Sequence, residues 1–218
     1  MDKKIENRGG SNRKVINNPF INLEDEKTQY WLGMLAADGW ISKGIWLGLN
    51  DLDLINIYRD WINPKLTIHY SDKYHTTNRV GFQHKETEKF LIDLGITPRK
   101  SLTLEMNIPI TRHFFRGVFD GDGYSPRKGQ SVKITSGSLK FLNQLSEFLF
   151  KNNIKNRIAV QQKSKNITYA LYVTASQFEN FYKLLYEDST VFMQRKEERL
   201  RLYSVKSIRK LDKLSGSL

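Results

Sequence analysis

Trp31-Leu-Gly-Met-Leu-Ala-Ala-Asp-Gly39 and Phe115-Arg-Gly-Val-Phe-Asp-Gly-Asp-Gly123 are two versions of one pattern. Each has glycine at its third position, a small residue at its seventh and Asp-Gly at its end. Written as helices, Gly33 and Ala37 share a face, as do Gly117 and Gly121, because residues four apart lie one above the other. Small residues at that spacing let two helix backbones approach closely. Packing the two helices through these faces would bring Asp38 and Asp122 together at one end of the contact. Gly39 and Gly123 fall just beyond, where a helix turns into a strand. Two carboxylates held together near helix C-termini repel each other, so folding alone does not favour the arrangement. A divalent cation removes that repulsion, and oxygen-only ligands suit Mg²⁺ (or Mn²⁺). Metal-bound water can then attack a phosphodiester. One Asp-Gly alone would mean no more than a helix end; the second copy is what points to chemistry.

The segments downstream of the two motifs repeat as well. Trp40–Asn50 and Tyr124–Thr135 read as hairpins, turning at Lys43-Gly44 and at Pro126–Gly129. An apolar stripe then recurs at i, i+1, i+4, i+7 and i+8. It is Leu54, Ile55, Tyr58, Trp61 and Ile62 in the first half, and Phe141, Leu142, Leu145, Phe148 and Leu149 in the second. A strand pair succeeds each helix, Leu66–Tyr70 with Arg79–Gln83 and then Asn156–Lys163 with Ile167–Val173. Closing helices are built on Phe90, Leu91 and Leu94, and on Phe178, Phe181, Tyr182 and Leu185. Ser176-Gln-Phe-Glu179 has the spacing of a capping box, and Arg99-Lys100 is echoed by Arg195-Lys196. The expected fold is α+β, two tandem α-β-β-α-β-β-α repeats related by a pseudo-twofold. The expected divisions are a basic N-terminal arm over 1–23, repeats over 24–109 and 110–203, and a basic tail over 204–218, either mobile or a weak phosphate contact.

Lys and Arg number 35 against 23 Asp and Glu among 218 residues, a net charge of +12, which argues for a polyanionic partner. Hydrophobic residues make up 39%, enough for a packed core. The absence of Cys excludes disulfides, thiolate zinc sites and a cysteine nucleophile. No run of 18 apolar residues occurs and Met1–Val15 has no apolar segment, so neither a membrane span nor a secretory signal is expected. The expectation is a cytoplasmic protein of bacterial or phage origin, with an organellar location left open.

On the two motifs, over about Glu24 to Tyr203, the chain resembles the LAGLIDADG homing endonucleases. Asn18-Pro-Phe-Ile21 and Leu94-Gly-Ile-Thr-Pro-Arg-Lys-Ser101 look like the branch associated with introns and inteins. The resemblance implies a monomeric saddle of two sheets straddling the major groove of double-stranded DNA, with cleavage between them. It implies that Asp38 and Asp122 bind the metal, assisted by the backbone carbonyls of Ala37 and Gly121. Many relatives place Lys or Gln where the first hairpin ends; here those positions hold Asn50 and Thr135-Ser136. The resemblance points instead to Lys100 and Lys196 as the catalytic basic residues, because such enzymes often keep a lysine where the third helix region closes over the active site. An intron maturase, or an RNA- or DNA-binding protein of the same fold that does not cut, is the alternative, and the two intact acids weigh against it.

Lys43, Arg79, Gln83, Arg127, Lys133, Gln161 and Lys163 are the candidates for DNA contact, although alternate strand residues must face away from it. Strands of about ten residues would span roughly one turn of B-DNA, so two ribbons imply a site on the order of 20 bp, asymmetric because the halves differ. Asp120 stands opposite Ala36 in the repeat and so lacks a symmetry mate. The four histidines lack the spacing of a zinc or nuclease motif. Asp25-Glu-Lys27 reads as acids preceding a helix. Trp40, Trp46, Tyr124 and Tyr172 read as aromatics of the sheet and core.

Overall fold

The computed structural model describes Val15, residues 17–124, 131–163 and 167–215, the side chains at 162, 163 and 205–215 excepted. Asp25 accepts a hydrogen bond from the Thr28 backbone N–H (2.8 Å) and so starts α1, Glu26–Asp38. Gly39 leads directly into β1 (Gly39–Ile41). The chain turns through Lys43 and Gly44, with φ of 50° and 136°, into β2 (Ile45–Leu49). Then come α2 (Leu52–Ile62), β3 (Ile68–His69), β4 (Asn78–Phe82) and α3 (Lys85–Asp93). A 3-10 turn at Lys100–Leu102 precedes α4 (Arg112–Asp122), which Thr111 caps. The second half continues as β5 (Gly123–Tyr124), β6 (Ser131–Ser136), α5 (Leu139–Lys151), β7 (Asn156–Lys163), β8 (Ile167–Thr174) and α6 (Phe178–Tyr186). A last helix, α7, spans Gln194–Ser215.

The order α-β-β-α-β-β-α is thus written twice. Each half forms a four-stranded antiparallel sheet, ordered β1-β2-β4-β3 and β5-β6-β8-β7. Strand alternation puts Ile45, Leu47, Leu49, Val80 and Phe82 on the buried face of the first sheet, and Val132, Ile134, Leu171 and Val173 on that of the second. These join residues of both halves in one apolar core. No helix among the described residues is long and apolar enough to cross a membrane.

Three expectations need correction. β3 is two residues long, because the side chain of Asn78 accepts the Ser71 N–H (3.1 Å) where a longer ladder would continue. Ser176 and Glu179 form no capping box: Ala175–Gln177 is a 3-10 turn, Ser176 Oγ pairs with Thr174 Oγ1 and Glu179 with Lys183. Residues 204–215 continue α7 rather than forming a separate tail. The Pro126–Gly129 turn lies outside the described residues.

The two motif helices meet backbone on backbone. A Cβ placed on Gly33 would lie 2.0 Å from the Phe114 carbonyl oxygen, and one on Gly117 would lie 2.1 Å from that of Tyr30. Arg195 adds a bidentate ion pair to Asp51 across the halves, and the Gln144 side chain grips both the N–H and the C=O of Met106 in the connecting segment. We expect Gly33→Ala or Gly117→Ala alone to destabilise the protein by about 1–3 kcal/mol, as overpacking does when the neighbour is backbone and cannot yield. Thermal melts would check this; unchanged melting would mean the helices can separate at no cost.

Candidate metal centre and nucleic-acid interface

The helix contact carries Asp38 and Asp122 to its C-terminal end. A Cβ on Gly121 would fall 2.4 Å from that of Ala37 and 3.0 Å from an Asp38 carboxylate oxygen, so the small residues at 37 and 121 make room for the acids to approach. Neither carboxylate accepts a hydrogen bond from any described residue. Desolvation raises the pKa of both. Asp122 has solvent at its rim but dense protein behind it, and burial together with the charge of Asp38 pushes it up to about 6, against the pull of Lys100 and Lys196. Among the described residues no third His, Cys, Asp or Glu joins them.

Two buried ammonium groups close the ends of the motif helices. Arg99, with φ 59°, turns the chain so that Lys100 Nζ donates to the carbonyls of Gly39 (2.6 Å) and Ala37 (3.4 Å). Lys196, in the first turn of α7, donates to those of Phe119 and Gly121, both at 2.9 Å. Each lysine thereby satisfies carbonyls that a helix C-terminus leaves without partners, at the negative end of its dipole. Burial lowers the pKa of both, that of Lys196 to about 8, while the nearby carboxylates oppose the shift. The structure therefore brings together Asp38, Asp122, Lys100, Lys196 and the carbonyls of Ala37 and Gly121, which face the lysines.

Asp120 belongs to a different arrangement. It is fully buried and accepts from Tyr30 OH (2.9 Å), Tyr186 OH (2.6 Å) and the Met193 N–H (2.7 Å). Those bonds fasten the segment just before Lys196 to α4 and so position that lysine. Next to it Arg116, also fully buried, donates to Val191 O, Leu185 O and Glu26, and Glu26 in turn holds Thr190. The partners of Asp120 lie 66 to 90 residues away in the chain, and no local spacing marks them.

Of the residues expected to meet DNA, Arg79 and Lys133 lie on the sheet faces turned away from the helices, and Gln161 is exposed. Lys43 forms the tip of the first hairpin, and Gln83 Nε2 donates to its carbonyl (2.9 Å). Arg127 lies outside the described residues, as does the side chain of Lys163. The aromatic residues depart from the expectation of a core role. Trp40 and Tyr124 are exposed, and Trp46 and Tyr172 share their outer faces, because strand alternation commits the inner positions to the aliphatic core. The strands of the first sheet, two to five residues long, are also shorter than the ten expected, so its ribbon is shorter than a turn of B-DNA.

Residues 110–186 match the family model described as a LAGLIDADG-like domain. The homing endonuclease I-DmoI in complex with DNA and Ca has a TM-score of 0.54 at 17% identity, over 78% of this chain and 91% of its own. I-DmoI in complex with DNA and Mn gives 0.55 at 18%, over 74% and 97%. Full-length DUF199/WhiA from Thermatoga maritima gives 0.51 at 15%, over 91% and 70%. At such identities the likeness is one of fold. No curated protein sequence matches the chain. Residues 110–186 are thus a LAGLIDADG-like domain, and the fold of that domain with the half before it is the one seen in I-DmoI.

Proposed function

We propose that the chain is a monomeric, site-specific endonuclease that cuts double-stranded DNA with divalent metal bound between its two halves. One observation carries this reading: Asp38 and Asp122, one from each half, are desolvated side by side without a hydrogen bond from any described residue. Asp120, two residues before Asp122, shows that this fold satisfies a buried acid when it is structural. Unsatisfied, mutually repelling carboxylates fit an oxygen-seeking cation such as Mg²⁺ or Mn²⁺. The carbonyls of Ala37 and Gly121 stand beside them, and water or phosphate oxygens would complete the ligand set. When bound, the ion supplies an activated water and withdraws charge from the phosphodiester.

The chain's own groups do the rest. Asp38 and Asp122 would hold the ion from opposite halves, so that one acid would serve each strand of a duplex lying across the pseudo-twofold. Lys100 and Lys196, pinned to helix-end carbonyls, are fixed cations beside the acids. They can offset the charge that builds on the phosphate without reorganising. The net charge of +12 supplies affinity for the backbone, which makes binding strongly salt-dependent. I-DmoI, of the same fold, has been seen with DNA together with Ca or with Mn.

The test is to incubate the protein with a randomised duplex library and Mg²⁺ and sequence the cut ends. Asp38→Asn and Asp122→Asn should each abolish double-strand cutting while leaving binding largely intact, and chelation should do the same to the parent. A variant that cuts at near the parental rate would overturn the assignment.

The acids also make a prediction about stability in the absence of metal. Since the folded state raises the Asp122 pKa from 3.8 to about 6, its contribution is full below the lower value and is lost as the pH rises through the higher one. Without divalent ions at about pH 7.5, Asp122→Asn should therefore melt above the parent. The expected gain is about 2–4 °C, the equivalent of ~1 kcal/mol in a chain of this size after allowing for solvent screening. The difference should close by about pH 4, and added Mg²⁺ should reverse it at neutral pH by stabilising the parent alone. Melting curves with and without metal at the two pH values decide the matter.

A further inference from the structure

The two sheets present unlike chemistry on their outer faces. On the first, Trp40 and Trp46 are direct cross-strand partners with nearly parallel rings, 6° between planes and centroids 6.0 Å apart. Each indole lies over a glycine. A Cβ on Gly81, which pairs with Trp46 on β4, would fall 2.3 Å from the Trp46 ring, and one on Gly48 would fall 3.2 Å from that of Trp40. Bare backbone at 48 and 81 is what lets the two rings lie down as a low aromatic floor. His69 packs against Trp46 at 5.7 Å, and the Trp46 N–H is donated to the Ser42 carbonyl (3.2 Å). Ser42, Lys43, Arg79 and Gln83 border the two rings around a depression of about 380 Å³.

On the second sheet the corresponding rung runs Tyr124, Lys133, Tyr172 and Arg157 across all four strands. It is cationic and rich in hydrogen-bonding groups. The Lys133 ammonium sits 5.6 Å from the Tyr124 ring, the Arg157 guanidinium 4.6 Å over Tyr172, and Tyr172 OH donates to Gln161 (2.8 Å). Trp40 and Tyr124 each come two residues after a motif acid, so a duplex that reaches the acids must pass over both rungs.

We propose that the first sheet reads thymine methyl groups while the second reads purine edges, so that the protein seats its duplex in one orientation. The inference rests on the duplex-cleaving function proposed above. In the major groove every base pair presents donors and acceptors, and thymine alone adds an apolar group, its methyl. Ring surface of the floor complements that methyl, whereas pressing the polar edge of a cytosine or purine onto it would leave hydrogen bonds unmade. Lys43 and Arg79 at its border are placed for phosphates, which position the duplex without reading sequence. Across the pseudo-twofold, Lys133, Arg157 and Gln161 are the residue types that address guanine and adenine edges.

The experiment is to select duplexes from a randomised library on the whole protein with Ca²⁺, then replace thymine by deoxyuridine, which removes only the methyl. Selected duplexes should carry thymines concentrated in one half. Deoxyuridine in that half should weaken binding roughly fourfold per contacted methyl, and in the other half should not. Trp46→Ala should bind duplex with that discrimination lost, although the deoxyuridine comparison on the parent stands even if the variant does not fold. Selected duplexes indifferent to deoxyuridine in both halves would overturn the proposal while leaving the nuclease reading intact. A Trp46→Ala protein that instead loses affinity for single-stranded oligothymidine would also overturn it, assigning the floor to stacking on unpaired bases. Failure to select any duplex would remove the nuclease reading and this proposal together.

Discussion

Where α1 crosses α4, main chain touches main chain. Gly33 lies against the carbonyl of Phe114, and Gly117 against that of Tyr30, with no side chain between. Contact this close leaves little freedom of rotation or slide, because a shift of an ångström would bring peptide oxygens into collision. It therefore sets the register of the two helices and, one turn further on, the facing of Ala37 and Gly121. Each helix runs without a loop into the first strand of its sheet, at Gly39 and at Gly123. Locking the helices thus locks both sheets and places the two acids between them.

The electrostatics of that junction depend on the same contact. Two acids and two lysines are gathered where two helix C-termini already concentrate negative potential. The lysines are committed to carbonyls, Lys100 to Gly39 and Ala37, and Lys196 to Phe119 and Gly121. The acids accept no hydrogen bond from the described residues, although the protein satisfies Asp120 three times over nearby. This division of labour separates an acid that builds the fold from acids that strain it. Strain of this sort persists when the surroundings over-determine it, and it marks sites of function. Asp120, Tyr186 and Met193 supply that over-determination by holding the start of α7, and with it Lys196, in place.

Pseudo-symmetry governs the backbone more strictly than the surface. The repeat places Trp40 and Tyr124 at equivalent points, yet the neighbouring strands diverge. Glycines 48 and 81 lower the first face into an aromatic floor, while Lys133, Tyr172 and Arg157 raise a polar ridge on the second. Two halves that share a backbone frame in this way are free to contact unlike halves of an asymmetric ligand.

Much of this was legible in the sequence because it rests on local rules. The duplicated motif, the small residues four apart, the twin apolar stripes and the hairpin turn at Lys43-Gly44 all derive from periodicity, sterics and backbone propensity. They are enough to name the element order, the helix pairing and the two acids that the pairing must bring together. The tertiary structure decided whatever depends on partners distant in the chain. Asp25 capping a helix could be read locally; Asp120 bonding to Tyr30, Tyr186 and Met193 could not. The outer placement of Trp40 and Trp46 belongs with these. Residue type favours burial for tryptophan, but strand register and two glycines on neighbouring strands decide which face it takes. Spacing along a chain encodes what a helix or strand does by itself, whereas the third dimension chooses which of its groups find partners and which are left to bind something else.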